Sequence, residues 1–275
     1  MQPGRLIPFS RLNGFVNMAI DEFMIAWQGR SGRPVVRIYA WDPPSITIGR
    51  YQPDDCVHRA ACRVCGVDIV RRITGGGAIY HDREINYSIA CGEGHLGCHG
   101  LSVSESFRRL NRSILDLYAG LGLTAIYAKD EPGAMGPARR SAFCFSGGEE
   151  YDVVIGGRKI GGNAQRRREG TIFQHGSIPL SIDNEKISAL FTAEIVAEKY
   201  MALNEAAGRE IEGREIGDRL LAAIKKALDL PFVEEKLTDA EKEEIDCIMK
   251  GRYLFDVWNR EGRTEEDAEK TAMAR

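Results

Sequence analysis

Between Ser141 and Arg167 the chain reads SAFCFSGGEEYDVVIGGRKIGGNAQRR, with Cys144 between two phenylalanines and Lys159 among glycines across an apparent hairpin. A thiolate favoured by a nearby ammonium can attack an acyl donor and carry the acyl group as a thioester. A lysine pressed against glycine backbone can shed water and act as acid, base or charge clamp. Both residues also have plainer readings, a small buried core thiol and a solvated hairpin lysine, and the residue types alone leave both open. A second group sits in RRITGGGAIYHD, where Arg71 and Arg72 precede Gly75, Gly76 and Gly77, with His81 and Asp82 just beyond. Three glycines allow unusual dihedrals, bring backbone close to a ligand and leave space for an aliphatic chain, although a plain glycine turn has the same composition. The spacing matches neither a dinucleotide fingerprint nor a phosphate-binding loop. His81 and Asp82 are strand neighbours whose side chains should face opposite ways, which disfavours a dyad between them. His175, in QHGS, is either a structural histidine or a ligand contact.

The elements that must hold these residues follow from periodicity. Gly14 to Trp27 brings apolar residues round at helical spacing and predicts an amphipathic helix. Val35 to Trp41 and Ser45 to Gln52 read as strands parted by Asp-Pro-Pro; Val67 to Ile73 is a third, and AIYHDREINYSIA a broken fourth. Ser102 and Glu105 form a capping box for a helix that stops near Gly120 and Gly122. EEYDVVIGGRKIGGNAQ reads as a hairpin about Gly156-Gly157, and GTIFQHGSIPLSI as one more strand. From Asp183 the pattern turns helical, through EIVAEKYMAL, GDRLLAAIKKAL and a helix capped at Thr238. Antiparallel-looking hairpins, one helix, another hairpin and then helices predict an α+β fold rather than a doubly wound parallel sheet. The expected division is a catalytic core over residues 1–182 and a helical extension over 183–275 packed on it, its charged end frayed.

A net charge of -3 and 43% hydrophobic residues describe an ordinary globular chain and do not call for nucleic acid. No apolar run reaches the ~20 residues of a spanning helix, and MQPGRLIPFSRLNGF is too polar for a signal peptide, so no membrane association and a cytoplasmic setting are expected. The seven cysteines are then free, catalytic or metal-bound. Cys56, Cys62 and Cys65, with Cys91, Cys98 and His99, allow a metal site on paper, but their distances follow no familiar ligand spacing and no metal is expected.

Taken together, NMAIDE (Asn17 to Glu22), SITIGRYQ, RRITGGGAIYHDREINYSI (Arg71 to Ile89), RKIGGNAQRR (Arg158 to Arg167) and HGSI (His175 to Ile178) resemble the lipoate-protein ligase, octanoyltransferase and biotin-protein ligase superfamily. The order and spacing cover most of residues 1–182. The resemblance implies a mixed, largely antiparallel sheet flanked by helices and a bent tunnel for an octanoyl or lipoyl chain, with its head wrapped by Arg72, Gly75, Gly76, Gly77, His81, Lys159, Gly161, Gly162, Ala164 and His175. Cys144-Phe145 is similar to a feature of the ligase-like octanoyltransferase branch, which makes Cys144 and Lys159 the expected catalytic pair. The branch implies octanoyl-acyl carrier protein as donor, a lipoyl-domain protein such as glycine-cleavage H protein as acceptor, and no cofactor. Two alternatives share the resemblance: a lipoate ligase that would need ATP and magnesium, and an amidotransferase between lipoyl domains. Asn163 departs from the family pattern, which more often has serine before the alanine.

Overall fold

The computed structural model describes residues 2–97, 99–132 and 150–263; Cys144 and its phenylalanine neighbours lie outside them, as do Cys98 and the chain end. In chain order the elements are β1 (Gly4–Leu12), α1 (Gly14–Ser31), β2 (Val35–Trp41), β3 (Ser45–Ile48), α2 (Arg59–Val64), β4 (Asp68–Arg71), β5 (Ile79–His81), β6 (Glu84–Gly92) and α3 (Val103–Gly120). There follow β7 (Ile126–Tyr127), β8 (Val153–Ile155), β9 (Arg158–Lys159), β10 (Gly162–Arg168), β11 (Thr171–Pro179), α4 (Asn184–Leu190), α5 (Leu203–Ala207), α6 (Gly213–Leu228), β12 (Phe232–Glu234), α7 (Asp239–Ile248) and α8 (Asp256–Glu261).

Six strands form the main sheet in the order β10-β11-β6-β2-β1-β12, antiparallel as far as β2 and parallel from there on. This is the expected α+β architecture with a mixed, largely antiparallel sheet. Side-chain alternation gives the sheet two apolar faces. Ile85, Tyr87 and Ile89 pack with α3 and α6, while Ala90 and Phe173 pack with α1 and the residues after α7. A smaller sheet, β4-β3-β5, carries the glycine loop between β4 and β5, and a third, β7-β8-β9, carries Lys159. Gly156 and Gly157 both take positive φ, 56° and 74°, as a two-residue hairpin twisted to match its strands requires.

The structure corrects three readings and adds one strand. α1 is not amphipathic: it is buried on most sides and carries buried Asn17, Asp21 and Gln28 among its apolar residues. Its polar groups have partners inside the fold, which no helical period can reveal. Gly4–Leu12 is a strand that local composition hid; it gains its place by pairing with β2 on one side and β12 on the other. Most of EIVAEKYMAL is not α-helical. Tyr200 forms a bridge with Lys159, and the Met201 N–H donates to the Lys159 carbonyl at 2.9 Å, so tertiary pairing overrides local propensity. The segment after 182 is also not helical throughout, because β12 extends the main sheet parallel to β1.

The two arginines of RRITGGG have separate duties. Arg71 is buried, and its guanidinium donates to the carbonyls of Gly49 and Gln52 at 2.6 Å and to those of Trp258, Asn259 and Arg260, tying α8 to β4. Arg72 turns toward the glycine loop. No helix among the described residues is long and apolar enough to cross a membrane.

Candidate active site

Edge strand β10, the glycine loop, β9 and the start of α3 enclose a cavity of about 940 Å³. Arg72, Gly75, Gly76, Gly77, His81, Lys159, Gly162, Ala164 and His175 all line it. Gly161 does not: it lies behind the wall, where an added Cβ would stand 2.6 Å from the Ser177 carbonyl oxygen. Met18, Tyr39, Trp41 and Ile79 make part of the lining apolar.

Two buried chains of the same composition, carboxylate to histidine to threonine, converge on Arg72. In the first, Asp21 Oδ2 lies 2.9 Å from His175 Nδ1, and His175 Nε2 lies 2.7 Å from Thr74 Oγ1. Burial pushes the His175 imidazolium below its ordinary pKa, so the ring is neutral at pH 7. A carboxylate can only accept, hence Nδ1 carries the proton and Nε2 accepts from the Thr74 hydroxyl. In the second, Glu84 Oε1 lies 2.5 Å from His81 Nδ1, and His81 Nε2 lies 2.8 Å from Thr47 Oγ1; the His81 ring also stacks on Trp41. Both threonine oxygens accept from Arg72, at 3.1 and 3.2 Å.

Arg72 in turn shapes the loop. Its Nη2 donates to the carbonyls of Gly75 and Gly77 at 2.6 and 2.8 Å. Across a planar trans peptide the Gly76 N–H runs antiparallel to the Gly75 carbonyl, so it points away from the guanidinium. Gly76 adopts φ +93°, a conformation that L side chains rarely adopt.

On the other side of β10, Lys159 is 5% exposed, and its Nζ lies 2.9 Å from Asp152 Oδ1. The pair shares the cavity with the glycine loop, although Lys159 reaches it from a different sheet. Cys56 also lines the cavity, but burial pushes its thiol up to about 11, which leaves it protonated and a poor nucleophile at neutral pH. Cys56 and Cys62 belong to the core of the smaller sheet and Cys91 to the core under α3, while Cys65 is exposed, so the fold does not gather them. Among the described residues no cluster of three or more His, Cys, Asp or Glu could hold a metal ion.

Sequence reasoning passed over Asp21, Thr47, Thr74, Glu84 and Asp152. For Asp21 a signal was present, a carboxylate set in the apolar run of NMAIDEFMIAW. A charge there needs a buried partner.

The helix-flanked mixed sheet thus brings a glycine loop and a lysine hairpin to one partly apolar cavity. The sequence from residue 13 to 225 matches the family model of the lipoyl protein ligase A/B catalytic domain, and the chain belongs to that family. It is 35% identical over 273 residues to a protein of Kyrpidia tusciae named octanoyltransferase LipM, covering 94% of this chain and 99% of that one. A protein of the same name from Halalkalibacterium halodurans is 34% identical over 275 residues, again covering 94% and 99%. Among solved structures, lipoate-protein ligase A bound with ATP superposes with a TM-score of 0.78 at 23% identity, covering 94% of this chain and 99% of that one. A bipartite lipoate protein ligase from Thermoplasma acidophilum gives the same score at 22% identity, covering 96% and 99%. At such identities the likeness concerns the fold.

Proposed function

We propose that this enzyme is an octanoyltransferase that moves an octanoyl group from octanoyl-acyl carrier protein to a lysine of a lipoyl-domain protein, glycine-cleavage H protein, through a thioester on Cys144. The relatives that bear the name octanoyltransferase along nearly the whole chain support the acyl group. The observation that carries the site is the meeting of Lys159, the Arg72-held glycine loop and His175 on one partly apolar cavity.

The reaction runs in two displacements. The Cys144 thiolate attacks the donor thioester carbonyl; the new carbon–sulfur bond forms as the old one breaks, and the departing carrier thiolate takes a proton. Lys159 stabilises the negative sulfur and supplies that proton, with Asp152 fixing its ammonium in place. The neutral amine of the acceptor lysine then attacks the Cys144 thioester, an amide forms, and the amine's surplus proton passes to Lys159 as Cys144 leaves. The Gly76 N–H is the donor for the oxyanion in both steps, a role worth ~3–4 kcal/mol where it has been measured in other enzymes. A thioester is exchanged for a thioester and then for a more stable amide, so neither ATP nor magnesium is required. A reducing cytoplasm keeps the thiol available.

The test incubates the protein with octanoyl-acyl carrier protein and apo glycine-cleavage H protein, without ATP, and reads both masses. Octanoyl transfer with an adduct on Cys144 that Cys144→Ala lacks is the expected result. Transfer that survives Cys144→Ala and depends on ATP would replace this reading with a ligase, and octanoyl-H protein as the preferred donor would replace it with an amidotransferase.

A further inference from the structure

The cavity passes over the edge of the main sheet and has a limb on each side. Gly162 and Ala164 pair with Ser177 and His175, and this register puts them on the α1 face of the sheet. There Met18, Tyr39, Trp41 and Ile79 suit an aliphatic tail. Asn163 pairs with Gly176, which pairs with Tyr87, and so belongs to the α3 face. That second limb is lined by Val103, Ser104, Phe107, Tyr151 and Asn163 and is continuous with the Asp152–Lys159 pair. Its mixture of apolar surface, hydroxyl and amide is more than an octanoyl chain could use.

Building on the thioester-donor reading above, we propose that the limb between β10 and α3 binds the 4′-phosphopantetheine arm of the acyl donor. The arm joins a thiol end to two amides, a dimethyl-substituted carbon and a terminal phosphodiester, and the limb offers a match for each in turn. Phe107 and Tyr151, with ring centroids 6.4 Å apart, and Val103 provide the apolar wall for the methylene and dimethyl groups. Asn163 accepts from the Tyr87 hydroxyl through Oδ1 at 2.7 Å, which fixes the orientation of its amide and leaves Nδ2 to donate to a carbonyl of the arm. Two exposed cations stand beside residues that line this limb. Lys129 Nζ lies 4.6 Å from the Tyr151 ring centroid, and Arg108 follows Phe107 in sequence. A hydrogen bond from Ser104, together with the charges of Lys129 and Arg108, holds the Tyr151 phenol below its ordinary pKa. A phosphodiester emerging past Tyr151 would meet them. The side chain of an acceptor lysine, an aliphatic stem ending in an amine, offers no carbonyl to the Asn163 Nδ2 donor.

The test compares kcat/KM for acylation of Cys144 by three donors: octanoyl-4′-phosphopantetheine, octanoyl-pantetheine and S-ethyl octanethioate. The wild type should prefer them in that order. The variant pair Lys129→Ala/Arg108→Ala should lower the ratio of the first donor to the second about tenfold, the effect of losing charge-assisted contacts. Asn163→Ala should lower the ratio of the second to the third about fivefold, and a merely structural loss would depress both donors together. If the wild type uses all three donors equally, or the variants leave both ratios unchanged while Cys144 is still acylated, the arm site is refuted and the transferase reading stands. A rise in KM confined to the acceptor protein would refute it as well, by giving the limb to the acceptor. Failure of every thioester to acylate Cys144 would instead remove the reading on which the site rests.

Discussion

Asp21→Asn tests whether the buried ionic network under the glycine loop is as demanding as its geometry requires. Asp21 is fully buried and serves three groups: Ser88 donates to Oδ1 at 2.6 Å, His175 lies at 2.9 Å from Oδ2, and Arg37 Nη1 stands 3.7 Å from Oδ1. Burial lowers the pKa of Arg37, 1% exposed, and the charge of Asp21 opposes that shift. Asparagine keeps the shape and can still serve Ser88, yet it leaves the Arg37 charge buried without a counterion. Breaking such a pair from one side costs about 3–5 kcal/mol. At about 2–4 °C per kcal/mol for a chain of this size, the melting temperature should fall by roughly 6–20 °C. Scanning calorimetry reads the shift. The companion variant Arg37→Met supplies the control, because the double variant should be more stable than the sum of the single losses predicts, by at least ~2 kcal/mol. A fall of less than about 3 °C, or strict additivity in the cycle, would show that the pair is not what holds this network.

Further outcomes follow from the same geometry. His175 titrates below its ordinary 6.5 in the folded state, so the unfolded chain binds more protons just below that pH; folding stability should therefore decline as pH falls from 6.5 through the folded value, and His175→Gln should flatten that part of a urea-midpoint profile. Gly176→Ala would press a Cβ to 2.1 Å from Asn163 Oδ1 and 2.5 Å from the Tyr87 ring, so a loss of about 1–3 kcal/mol in urea denaturation is expected, with octanoyl transfer falling alongside. The carboxyl of Glu241, held at about 2 chiefly by the hydrogen bond from Arg5, fastens α7 to β1. Its contribution is full above pH 4.5 and lost as pH falls through about 2. Glu241→Gln should lower stability at neutral pH by about 1.5–3 kcal/mol and flatten the acid limb, both read by urea titration at several pH values.

Local patterns were enough for much of the scaffold. The capping boxes at Ser102 and Thr238 lie where the spacing of Ser-x-x-Glu and Thr-x-x-Glu places them, because a cap is satisfied within four residues. Gly156-Gly157 marks its hairpin for the same reason. The glycine loop, Lys159 and His175 were likewise legible as candidates from residue type and from resemblance, and these motifs pointed to one family. Tertiary structure alone decided which partners the candidates have. Nothing near His175 in sequence names Asp21 on α1, and nothing near Lys159 shows that it shares a cavity with loop glycines from another sheet. Nor could the adjacent Arg71 and Arg72 be told apart, since one satisfies carbonyls around α8 and the other those of the glycine loop. Buried polar groups must find partners wherever the packed chain brings them, and those of His175, Thr74 and Asp21, lie 101 and 154 residues away. Short-range preference can propose a residue for chemistry; the low-dielectric contacts that orient it exist only after the distant strands and helices have met.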